Sequence, residues 1–241
     1  MSSQASPTSK VPSPQSPGQP TEASALRKIM WFGIVQIAGL VAVSIVAFYA
    51  FAAVFSSIAS LGLGPNPTPA QVGAALGSLF QNFVFVVPVT VIMSLIATVV
   101  LMFALRDLAR VDRDKFSNPS ILVIIGIAGI LLGGVGGALF LGRLPDLISR
   151  VPATPGALPP SFFALFGSLG IDFVLLALGG ILTIVGLIGG QILGLWRVGT
   201  RYNETTIKVG AIFTVIPLLN IVGPILVLIG ALEAKGRLVK P

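Results

Sequence analysis

Long uncharged apolar runs alternate along the chain with short polar joints. From Ile29 to Leu105, 77 consecutive residues include no Asp, Glu, Lys or Arg, and only the turn-rich LGLGPNPTPAQ divides them. Further apolar runs cover 119–142, the residues leading to Trp196, and the stretch between Lys208 and Glu233. A run of roughly 20 apolar residues is what a helix needs to cross a hydrocarbon layer of about 30 Å. The pattern predicts an all-α, polytopic transmembrane helix bundle with five spans, at 29–57, 77–105, 119–142, 173–196 and 209–232. Ser161 to Trp196 is awkward: at about 1.5 Å per residue it makes a helix of about 54 Å, too long for one crossing and too short for two. Counting back from Trp196 leaves SFFALFGSLGID as an interfacial or re-entrant piece, with a sixth crossing here as the alternative.

Residues 1–24 are rich in Ser, Pro and Gln, so they bury too little apolar surface to offset the entropy of ordering. They read as a disordered tail ahead of a helical domain at 25–241. The apolar stretch after Lys28 is too long and too far from Met1 for a cleaved signal, so it reads as a retained span.

Composition agrees: 54% of residues are hydrophobic, 10% are charged, and the mean hydropathy is +0.98. A soluble domain carries roughly a quarter of its residues as charges. The net charge of +7 does not mark a nucleic-acid surface, because the Lys and Arg residues sit at the ends of apolar runs, where they reach lipid headgroups. Lys10, Arg27, Lys28, Arg106, Arg110, Arg113, Lys115, Arg197, Arg201 and Lys208 then share one side, against Arg143 and Arg150 on the other, which predicts a cytoplasmic N-terminus. Five crossings leave the basic tail Lys235, Arg237 and Lys240 on the wrong side of this rule.

The chain contains neither Cys nor His, which removes zinc sites of the Cys/His type, His-ligated haem and the Ser-His-Asp or Cys-His catalytic units. No cofactor or metal site is expected. Ionisable groups inside spans are costly and usually functional. Asp172 is the candidate, read as a surface residue or helix cap with a proton or cation site as the alternative, and no acid has a basic partner within a span. With no paired carboxylates there is no carrier for acid–base catalysis, and the protein reads as a non-enzyme. Gln36, Gln81, Asn82 and Gln191 read as interhelical glue.

Glycine supplies the packing signal. Gly129, Gly133 and Gly137 lie four apart in the third span, as do Gly186, Gly190 and Gly194 in the fourth. Each set makes one smooth face that lets helix backbones approach closely in lipid, either within the molecule or in a homo-oligomer.

The fifth run, IKVGAIFTVIPLLNIVGPILVLIGALE, carries Pro217, Asn220, Gly223 and Pro224 near its centre. Read as one helix, the prolines free the carbonyls of Phe213 and Asn220 on a shared face. The expectation is a mid-membrane polar notch turned toward the bundle interior, structural or solute-binding.

The stretch LWRVGTRYNETTIKVGAIFTVIPLLNIVGPILVLIGALEAKGRL, and less so ALRKIMWFG at 25–33, resembles the archaeal multi-pass membrane proteins grouped as domain of unknown function 973. The resemblance implies an archaeal cell membrane and carries no reaction, substrate or partner. The expected function is that of an accessory, assembly or scaffold component embedded in the bilayer with a membrane-protein partner; a small-solute permease or channel using the broken fifth run is the alternative.

Overall fold

The computed structural model describes residues 19–60, 68, 71, 73–75, 77, 80–81, 84–149, 160–216 and 218–239. Among them every regular element is helical: α1 (Gln19–Ser60), α2 (Val86–Val111), α3 (Arg113–Ser149), α4 (Pro160–Val185), a π-helical turn (Gly186–Ile192), α5 (Leu193–Arg201), α6 (Thr205–Phe213) and α7 (Val222–Val239). Four stretches are long and apolar enough to cross a membrane: Thr21–Ser60, Val86–Val111, Arg113–Leu144 and Leu169–Arg201.

Several boundaries differ from expectation. Residues 19–24, assigned to the tail, form the first turns of α1; Glu22 bonds Arg201 and Ser24 bonds Asp107, partners far away in the chain. The rest of the tail lies outside the described residues. The second span runs from Val86 rather than from 77. Residues 160–201 form one continuous helical rod, so SFFALFGSLGID is neither a separate interfacial piece nor part of a sixth crossing.

The largest correction concerns the fifth span, which does not form. Its run splits into α6 and α7, folded back on each other in antiparallel register. Ile207 packs on Gly230, Gly210 on Val227, and Gly223 on Phe213 and Thr214. Pro224 explains the split: it occupies the third position of α7, where a helix needs no intrahelical donor and the proline ring is tolerated. α7 therefore ends on the side of the bundle where α1 begins.

α1 lies between α2 and α7, α3 lies between α2 and α4, and α5 leans on α6, so the helices close into a ring. The buried core, including Leu26, Phe32, Leu101, Leu105, Leu195, Ile207 and Val227, fills the half of the bundle that contains the hairpin. α3 and α4 meet backbone to backbone. A Cβ on Gly129 would lie 2.7 Å from the carbonyl carbon of Leu182, and one on Gly179 2.5 Å from Gly133 Cα. The π-helical turn continues this seam, since a Cβ on Gly186 would lie 2.6 Å from Gly126 N. Gly190 faces Val123, Gly194 faces Leu105, and Gly137 faces Leu176 at an ordinary 3.7 Å. Gly126, Gly136 and Gly179 belong to the same seam but fall outside the regular four-residue spacing.

Candidate functional site

The hairpin is launched by the turn after α5. Asn203 adopts φ 53, a left-handed conformation that Asn tolerates better than most residues. This turns the chain so that Glu204 N donates to Gly199 O at 2.7 Å. A Cβ on Gly199 would lie 2.7 Å from Glu204 O, so the turn needs a glycine there.

At its tip the hairpin closes its own backbone bonds. Thr214 N donates to Gly210 O, Val215 N to Ile212 O and Ile216 N to Phe213 O, while Val222 N and Gly223 N both donate to Leu219 O. Peptide groups paired in this way can sit in a non-aqueous layer. Leu218, at the tip, is 92% exposed and adds an apolar contact for lipid.

Beyond the tip, between α1 and α2, lies a cavity of about 320 Å³. Its polar lining comprises Gln36 of α1, Thr90 and Ser94 of α2, and Thr214 and Asn220 of the tip; Val35, Leu40 and Met93 are among its apolar walls. Gln36 to Val43 lie roughly 10 to 20 Å along α1 from Ile29 at about 1.5 Å per residue, which is mid-depth for a layer of about 30 Å. Thr90 Oγ1 donates to Val86 O at 2.9 Å, and Thr214 Oγ1 donates to Ala211 O at 2.7 Å. Gln191, from the π-helical turn, donates its amide N–H to Thr214 Oγ1 at 2.9 Å. The side chains of Gln36, Ser94 and Asn220 make no hydrogen bond among the described residues.

The predicted notch is thus revised in construction. Asn220 does face the cavity, but Gly223 packs against the partner arm and Pro224 is buried against Gly33 of α1. Pro217 lies outside the described residues. A continuous helix face through 213, 220 and 224 does not exist, because 214–216 and 218–221 lie outside any helix. Gln191 forms the interhelical bond expected of it, whereas Gln36 lines the cavity.

The hairpin end of the bundle is held by ion pairs. Arg201 bridges Glu22 of α1 and Asp112 of the α2–α3 joint, the latter at 3.0 Å. Lys28 pairs with Asp107, and Arg237 of α7 with the buried Glu204. A second, wider cavity of about 790 Å³ opens here, lined by Glu22, Lys115, Arg197, Arg201 and Tyr202 among others. The hydrogen bond from Lys115 holds the Asp112 carboxyl below its usual range. Burial, with Glu22 nearby, pushes the Tyr202 phenol up to about 12.

At the opposite end Asp172 is fully buried and faces Arg143 at 3.1 Å. Asp172 was expected without a partner, which Arg143 corrects; it does lie near the end of its span, where the membrane surface was expected, but covered by protein. α3 and α4 bring the two residues together across the Gly seam, and the chain between them hides the relation. Among the described residues no group of three acids is placed to hold a metal ion.

These features define an integral membrane helix bundle in which a folded-back hairpin meets, at mid-depth, a cavity with polar groups set in a mostly apolar wall. Residues 22–240 match the family described as "Protein of unknown function (DUF973)", and the chain belongs to that family. No curated protein and no solved structure matches it.

Proposed function

We propose that this protein is a non-enzymatic cell-membrane permease or channel for a small solute, with its site in the cavity at the hairpin tip. One observation carries the reading: Gln36, Ser94 and Asn220 line a cavity at mid-depth, and their side chains make no hydrogen bond among the described residues. Lipid cannot satisfy such groups, so water or a solute does. Broken helices are tolerated at membrane depth where they line such cavities. The N-terminus is cytoplasmic in this reading. Returning α7 to the hairpin end brings Lys235 and Arg237 to the side of Arg27, Lys28 and Arg201, and leaves Arg143 as the sole described Lys or Arg at the other end. That asymmetry satisfies the positive-inside rule more fully than five crossings.

An accessory or scaffold role, alone or as a homo-oligomer, is the second reading. It is favoured by the self-closed tip and by the exposed aromatic side chains Phe48, Tyr49, Phe51 and Phe55 on α1. Reconstitution separates the two. The permease reading expects purified protein alone to speed uptake of at least one small solute into liposomes. Uptake equal to that of protein-free vesicles for neutral, cationic and anionic solutes, with a partner co-purifying in mild detergent, would overturn it.

A further inference from the structure

We infer that the cavity at the hairpin tip takes an uncharged, hydrogen-bonding molecule of the small polyol or amide class, and that Gln36 and Asn220 determine this selectivity. The inference rests on the permease reading and adds to it the chemistry of the solute.

Among the described residues no ionisable side chain lines the cavity. The described ion pairs lie at the two ends of the bundle, where Arg237, Arg201 and Lys28 hold Glu204, Glu22, Asp112 and Asp107, and Glu233 of α7 is exposed and outside the cavity lining. A bare ion brought to mid-depth would lose its hydration without gaining a counter-charge, which costs several kcal/mol or more. A neutral solute avoids this penalty and needs only donors and acceptors in both senses.

The lining supplies both. Each primary amide offers two N–H donors and a carbonyl acceptor, and the Ser94 hydroxyl donates and accepts. Thr90 and Thr214 have committed their protons to Val86 O and Ala211 O, so they add acceptors only. The three uncommitted groups come from three directions: Gln36 from α1, Ser94 from α2 and Asn220 from the tip. A molecule with several hydroxyl or amide groups can engage all three, whereas an ion of either sign would meet no counter-charge among the described lining residues. A volume of about 320 Å³ equals roughly ten waters at about 30 Å³ each, room for a solute of a few heavy atoms. The apolar walls Val35, Leu40 and Met93 suit its carbon skeleton.

The Gln191–Thr214 bond ties the tip to the π-helical turn, and Gln191 is not itself among the lining residues. It fixes one edge of the site without occupying a cavity-facing donor of Gln36 or Asn220.

The test uses full-length protein in liposomes with glycerol, urea, potassium and acetate as separate probes. Glycerol or urea should enter faster than in protein-free vesicles, and potassium and acetate should not. Gln36→Leu and Asn220→Leu should each lower neutral-solute uptake by about tenfold, the loss expected when one buried hydrogen bond to a solute is removed. Ser94→Ala, a nearly volume-neutral change in a folded helix, guards against variants that fail to fold and should lower uptake severalfold. Neutral uptake unchanged in all three variants would overturn the inference. Faster potassium or acetate flux without glycerol or urea flux would overturn it too, while leaving a permease in place. No flux of any probe would defeat the permease reading itself, and this inference with it.

Discussion

Gly179 and Gly180 are adjacent in α4 yet stand in opposite environments, so one methyl group at each position isolates the contribution of close helix packing. A Cβ on Gly179 would sit 2.5 Å from Gly133 Cα and 2.9 Å from Gly129 O, whereas one on Gly180 meets nothing within 4 Å. Carbon atoms rest about 3.5–4.0 Å apart, so Gly179→Ala forces α3 and α4 apart by about 1 Å or more. Both substitutions gain the same helix propensity, about 1 kcal/mol for Gly to Ala, and this gain cancels in their difference. What remains is overpacking at a rigid backbone contact, about 1–3 kcal/mol. At about 2–4 °C per kcal/mol for a protein of this size, Gly179→Ala should unfold roughly 2–12 °C below Gly180→Ala. Thermal unfolding of the two variants in one mild detergent, followed by loss of the monodisperse elution peak, measures the gap. Gly133→Ala supplies an internal control, because its Cβ would lie 3.7 Å from Gly179, an ordinary contact. Equal melting of the Gly179 and Gly180 variants would refute the claim that the seam depends on missing side chains.

Three further outcomes follow from the fold. The chain has no cysteine, so Asn203→Cys and Gly236→Cys provide single labelling sites, and both should react with a membrane-impermeant maleimide from the same side; labelling from opposite sides would restore a fifth crossing. Arg201→Gln removes a guanidinium shared by Glu22 and Asp112 and should cost about 1–3 kcal/mol of stability in detergent, with the second substitution Glu22→Gln recovering part of the loss; strict additivity of the pair would argue against the bridge. Tyr202 should titrate near 12: with Tyr49→Phe it is the sole tyrosine, and its tyrosinate absorbance reports the midpoint. An unfolded tyrosine loses its proton near 10, so between about pH 10 and 12 the folded state binds more protons and stability falls as pH rises; a midpoint near 10 would contradict the burial of this phenol.

What the linear sequence determined is what depends on composition and local order. Uncharged runs of membrane-crossing length need only the cost of polar backbone in lipid to become helices, so the all-α transmembrane class and four of the helices are legible in the runs that follow Ile29, lead to Leu105, follow Pro119 and lead to Trp196. The prolines flanking Asn220 likewise marked the place where a helix must break, and the basic tail at Lys235 and Arg237 already fitted poorly with a fifth crossing. The sequence did not determine what the chain does at that break. Kinking across the membrane and folding back both satisfy Pro217 and Pro224 locally. The choice falls to Gly210, Gly223 and Gly230, which allow α6 and α7 to touch, and to Gly33 on α1, which receives Pro224. The cavity is tertiary in the same sense: Gln36, Ser94 and Asn220 are far apart in the chain, and although Asn220 stood out beside its prolines, nothing in the order of residues joined it to Gln36 or Ser94. Arg143 with Asp172 and Arg201 with Glu22 are further examples, since pairing energy depends on distance in space and on the dielectric around the pair, and neither is written in the order of residues.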